Sequence, residues 1–150
     1  MVNSALTPDA HPGGVAHRCT MPRDVTEFFE HYRDAFNRLD GDAIADLYCV
    51  PSGIVTDRGL TAWQSREPIV ENMVALCALY RANGYKHARF EPNHFISQGI
   101  EFAVADVAWI IEREASSEPW HFHTTYNLRR TPEGWRVVLC TAYEEKRLNA

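Results

Sequence analysis

His121-Phe-His-Thr-Thr-Tyr-Asn-Leu-Arg-Arg130, then Thr131-Pro-Glu-Gly134, then Trp135-Arg-Val-Val-Leu-Cys-Thr-Ala-Tyr143 is the stretch that decides the fold. It reads as two strands joined by a tight turn. Pro132 presets the backbone angle for the first central turn position, and Gly134 closes the turn. Side chains alternate along a strand, so Trp120, Phe122, Thr124, Tyr126 and Leu128 share one face, and His121, His123, Thr125 and Asn127 the other. On the second strand Trp135, Val137, Leu139 and Thr141 alternate with Val138, Cys140 and Ala142. Both sets are largely apolar, so both faces are expected to be covered. The chain's own helices would cover one and a second subunit the other.

The bulk numbers narrow the class. A chain of 150 residues is one domain with room for a real core. Apolar residues make up 45% and charged residues 23%, the composition of a globular protein in water. Net charge is −5 and there is no Lys/Arg run, which argues against nucleic-acid or anionic-membrane partners. No apolar run is long enough to span a bilayer, and no basic segment precedes an apolar one at the N-terminus. Cys19, Cys49, Cys77 and Cys140 are scattered, without a Cys-x-x-Cys pair. That pattern reads as free thiols in a reducing, cytoplasmic setting.

Working outward from the hairpin, residues 1–20 hold Pro8, Pro12, Gly13 and Gly14 and few large apolar side chains, so a flexible tail is expected. The domain then spans residues 21–147, and Met21 is an alternative start codon. A helix is expected from Asp24, with Glu27 completing a capping box, and Val25, Phe28, Phe29, Tyr32, Phe36 and Leu39 forming its apolar stripe. Asp40-Gly41-Asp42 stops it and caps a short second helix carrying Ile44, Leu47 and Tyr48, which Pro51 ends. Gly53 to Asp57 reads as a short strand turned by Arg58-Gly59. Ser65 caps a third helix whose apolar face includes Ile69, Met73, Cys77 and Tyr80, stopped at Asn83-Gly84. Strands are expected at 87–98, 102–113, 120–130 and 135–144. Helices followed by hairpin-linked strands define an α+β protein with an antiparallel sheet.

This element order, with Phe28-Phe29-x-x-Tyr32, Gly41-Asp42-x-Ile44-x-x-Leu47-Tyr48, the long helix from Arg66 and the closing Leu128-Arg-Arg-Thr-Pro-Glu-Gly-Trp-Arg-Val137, resembles the nuclear transport factor 2-like superfamily and, within it, the SnoaL-like proteins. The resemblance spans about residues 22 to 145. It implies a cone-shaped α+β barrel, three N-terminal helices packed in a strongly curved antiparallel sheet, with an apolar pocket. It also implies a homodimer through the outer sheet face. Such proteins include ketosteroid isomerases, polyketide cyclases, dehydratases and modules without chemistry, so fold does not fix function.

Asp57 matches the position of the general base in the isomerase-like members. A carboxylate at the mouth of an apolar pocket is suited to remove a proton alpha to a carbonyl. Asp57-Arg58-Gly59 is equally ordinary turn chemistry. Tyr32, on the inward stripe, matches the tyrosine that hydrogen-bonds the enolate oxygen; the bland account is packing. Those isomerases use a protonated acid where this chain has Tyr126, a departure from their pattern. Asp106 is a carboxylate in an apolar strand, Phe102 to Ile111. On the concave face it is an acid/base candidate, and on the outer face it would meet a polar partner. Tyr126, Trp63, Tyr48 and Phe122 complete a substrate-binding set, although tryptophans such as Trp63, Trp109, Trp120 and Trp135 more often build cores. His121 and His123 share a face as metal-binding pairs do, but no third ligand is anchored nearby, and a polar cross-strand pair is the plainer account.

Two readings follow. The first is a cofactor-independent, metal-free isomerase, lyase or cyclase acting on a small apolar molecule, with Asp57 or Asp106 as base and Tyr32 as donor. The second is a non-catalytic ligand-binding or dimerisation module.

Overall fold

The computed structural model describes residues 19–115 and 117–143. Its elements run α1 (Arg23–Asn37), α2 (Gly41–Ala45), β1 (Tyr48–Thr56), β2 (Gly59–Trp63), α3 (Arg66–Ala82), β3 (Tyr85–Gln98), β4 (Phe102–Arg113), β5 (Trp120–Thr131) and β6 (Gly134–Tyr143). Residues 1–18 of the expected tail and 144–147 of the expected domain lie outside the described residues. Met21 packs, partly buried, against the core.

The α1 stripe forms as its spacing requires: Val25, Phe28, Phe29, Tyr32, Ala35 and Phe36 are all buried. Phe29 is fully enclosed and meets Tyr126 of β5 with ring centroids 4.9 Å apart. Truncating such a ring to alanine typically costs about 3–5 kcal/mol, so this residue pins the helix to the sheet. The expected capping box does not form. Pro22 occupies the N-cap without a capping side chain. The Asp24 carboxylate instead accepts from Trp135 Nε1 at 3.0 Å and from Arg130 at 3.2 Å, a tertiary use that outcompetes the local one. Asp40, by contrast, caps α2 as expected, accepting from the Ala43 amide at 3.0 Å.

The strands form one sheet in the order β2-β1-β6-β5-β4-β3. Hairpins make β3 to β6 antiparallel, and likewise β1 and β2. The β1–β6 pair is parallel, so the sheet is mixed rather than wholly antiparallel. No hairpin joins these two strands, and nothing local dictates their relative direction. With β2 and β3 at its edges the sheet is curved and open, not a closed barrel.

Three local expectations are corrected. Tyr48 begins β1 rather than ending α2, because α2 stops after one turn. Pro51 lies inside β1, where the β1–β6 register jumps and the strand gives up ladder bonds a proline cannot make. Strand β2 was not legible because four of its five residues are exposed and carry no inward pattern. The alternation along β6 is broken as well. Leu128 pairs with Val137 and Asn127 with Leu139, which leaves Val138 as a bulge. Val137 and Cys140 therefore both face inward and are buried, while Leu139 and Thr141 join the outer face.

Candidate functional site

The inner face of the sheet, α1 and α3 enclose a cavity of about 470 Å³. From α1 come Tyr32 and Phe36; from α3, Asn72, Met73, Leu76 and Tyr80. The sheet supplies Trp109 and Ile111 from β4, Phe122, Thr124 and Tyr126 from β5, and Cys140 and Ala142 from β6. Ile54, Thr56, Asp57 and Arg58, at the end of β1 and in the turn after it, complete the wall. Among the described residues Asp57 and Arg58 are its only charged lining residues, and both are exposed.

At the inner end three phenols meet. The Tyr32 hydroxyl lies 2.7 Å from that of Tyr48, which in turn is 3.6 Å from Cys140 Sγ. Trp109 Nε1 donates to the Tyr126 hydroxyl at 2.9 Å, and the Tyr32 and Tyr126 rings meet edge to face. Indole N–H is a donor only, so the Tyr126 proton must be directed elsewhere, toward Tyr32 or into the cavity. Burial, reinforced by neighbouring groups, pushes all three phenols well above their ordinary range. They remain neutral donors throughout the physiological range. Burial also raises the Cys140 thiol, to about 11, against the opposing effect of its hydrogen bond with Tyr48.

Of the residues picked out in the sequence, Tyr32, Tyr48, Tyr126, Phe122 and Asp57 line this one cavity. Trp63 does not. It is buried behind Tyr48, ring to ring at 6.0 Å, and acts as a wall to the tyrosine. Asp106 is also excluded. Its strand neighbours Ala105 and Val107 face the helices, so the intervening residue faces outward. There it is 6% exposed and accepts from Asn93 Nδ2 at 2.9 Å, Thr125 Oγ1 at 2.6 Å and Tyr143 Oη at 2.5 Å. Burial works to raise this carboxyl; the three hydrogen bonds and the nearby His123 outweigh it and hold the group below the ordinary carboxylate range. A carboxylate so satisfied and so placed is not a base for the cavity. His121 and His123 share this outer face with it, and among the described residues no three metal-ligating side chains converge. Cys140 and Thr124 entered the cavity unforeseen. The β6 bulge hid the first, and a hydroxyl on an aromatic-rich face carried no signal for the second.

An α+β cone whose helices and curved sheet enclose an apolar pocket defines a class of protein, and the comparisons agree with it. Residues 23–145 match the family described as NTF2-like protein (DUF6841), and the chain belongs to that family. No curated protein matches the chain significantly. Among solved structures it is similar to a domain of unknown function with a cystatin-like fold from Nostoc punctiforme, with 17% identity and a TM-score of 0.66 over 84% of this chain and 80% of that one. A ketosteroid isomerase-like protein from Erwinia carotovora atroseptica aligns with 14% identity and a TM-score of 0.58, covering 79% and 91%. A nuclear transport factor 2 superfamily protein from Salmonella enterica aligns with 19% identity and a TM-score of 0.57, covering 81% and 88%. At these identities the likeness is one of fold.

Proposed function

We propose that this SnoaL-like chain binds a small, mostly apolar carbonyl compound in the cavity and runs a cofactor-independent proton transfer on it. The observation that carries the reading is the pairing of a carboxylate at the mouth, Asp57, with neutral phenol donors at the inner end of an otherwise apolar space. Asp57 takes a proton alpha to the carbonyl; the C–H electron pair becomes the new carbon–carbon double bond, and the C=O π pair moves onto oxygen. The resulting enolate oxygen accepts a hydrogen bond from Tyr32, whose neighbour Tyr48 steadies it. Return of the proton to another carbon gives an isomer; loss of a leaving group gives a lyase. Tyr126, Tyr48 and Phe122 shape the pocket around the ligand.

A second reading, a ligand-binding or dimerisation module, is favoured by one observation: Asp57 stands exposed in a Thr56-Asp57-Arg58-Gly59 turn. Deuterium wash-in separates the two. An apolar cyclic enone in D2O, followed by proton NMR, should exchange its alpha hydrogens faster with the protein, and Asp57→Asn should remove the effect. Binding of the enone without exchange would leave the module.

A homodimer through the outer sheet face is part of the proposal. Leu139, Thr141 and the bulged Val138 lie there only half-buried in one protomer. The four free cysteines fit a cytoplasmic location.

A further inference from the structure

On the outer face the sheet carries a second basin of about 570 Å³. It is a product of register. Strand β1 advances from Tyr48 to Gly53 while β6 advances only from Val137 to Leu139, so residues 49–52 bulge away from the ladder. Tyr48, Cys49 and Val50 line the hollow left beneath, together with Arg129 and Arg136.

These arginines are direct cross-strand partners on β5 and β6. Like charges in that position destabilise a sheet unless something answers them. Among the described residues neither forms an ion pair. Arg136 Nη1 donates to the Trp135 carbonyl at 2.7 Å, which fixes its fork and leaves its other donors available. Asp46 and Glu133 also line the basin. Asp46 pairs with Arg66 at 2.6 Å, whereas Glu133 meets Thr131 Oγ1 only at 3.5 Å, that hydroxyl donating to the Gly134 carbonyl at 2.7 Å. Burial pushes the Cys49 thiol up while Arg129 and Arg136 push it down, so both charges bear on one spot.

We infer that Arg129 and Arg136 bind the phosphate group of a small molecule in this basin. Two guanidiniums from facing strands supply two positive charges and several N–H donors, the complement of a tetrahedral dianion. A monocarboxylate would answer only one of them. Tyr48 lines both this basin and the first cavity, but the two arginines take no part in the first, and the inference does not rest on what that cavity does.

The test is a titration of the full chain, labelled with 15N, with inorganic phosphate at ionic strength held constant by chloride. The amides of Cys49, Thr131 and Arg136 should shift saturably, and the thermal midpoint should rise with phosphate. Arg129→Gln and Arg136→Gln should each weaken binding about tenfold or more. The double variant should lose it while keeping its circular dichroism spectrum. Should that variant not fold, the single variants carry the test. A parallel titration with glycerol 3-phosphate identifies the source: tighter binding than phosphate indicates a phosphomonoester, equal binding the free ion. Shifts that do not saturate, or that survive in both single variants, overturn the proposal. So does a protein whose amides show no shift with phosphate at all, whatever its mass in light scattering.

Discussion

The hydroxyl of Tyr32, on α1, lies 2.7 Å from that of Tyr48, at the start of β1, with both rings buried. This contact joins the first helix to the parallel β1–β6 pair and places two donors at the inner end of the cavity. Tyr32→Phe leaves the Tyr48 hydroxyl with only a sulfur acceptor at 3.6 Å. We expect it to cost roughly 1–3 kcal/mol in urea unfolding, the penalty of an underused buried polar group. Enone exchange should slow along with it. Tyr48→Phe should lower stability similarly and slow exchange less, because Tyr48 acts through Tyr32.

Asp57 stands at an exposed turn, so its removal should scarcely touch the fold. Asp57→Asn should unfold within about 0.5 kcal/mol of the parent, as surface changes do. Exchange catalysed by the parent should nevertheless be abolished. A variant that exchanges at the parent rate would remove Asp57 from the chemistry.

Asp106 makes acid stability a local property. Its carboxyl titrates lower in the folded chain than in the unfolded one, so its stabilisation is present above the unfolded value and lost as pH falls through the folded one. Thermal midpoints should therefore decline below about pH 4, where free aspartate begins to protonate. Asp106→Asn should be less stable at neutral pH and show a shallower acid decline. Equal slopes in the two proteins would contradict this assignment.

The buried Cys140 thiol is raised to about 11, so it is almost wholly protonated at pH 8. Iodoacetamide at that pH should leave Cys140 unmodified in the folded protein and label it in urea, as read by peptide mass spectrometry. Its stabilising protonated form is held below the unfolded value and lost as pH rises through the folded one.

Leu139 rather than Cys140 reports on the outer face, because the Val138 bulge turns Cys140 inward. Leu139→Lys should convert a dimer to a monomer in light scattering while leaving the melting transition cooperative. An unchanged mass would place any dimer contact elsewhere.

Much of this could be read from residue order. The α1 stripe, the Asp40 cap and strand β4 from Phe102 to Arg113 follow from period and punctuation, which act over a few residues. The aromatic face of β5 likewise announced a pocket wall holding Tyr126 and Phe122. Those features are local, and the sequence by itself determined them. Other features rested on contacts between residues far apart in the chain. Asp24 abandons its helix for Trp135, and β1 lies parallel to β6. The Val138 bulge sends Cys140 into the cavity and Leu139 out of it. Period two alone could not assign Asp106 to a face; the packing of Ala105 and Val107 against the helices did. Only the tertiary structure decided these, because a strand's register and partner are set by which long-range pairings bury the most apolar surface while satisfying every polar group, a balance struck over the whole sheet at once.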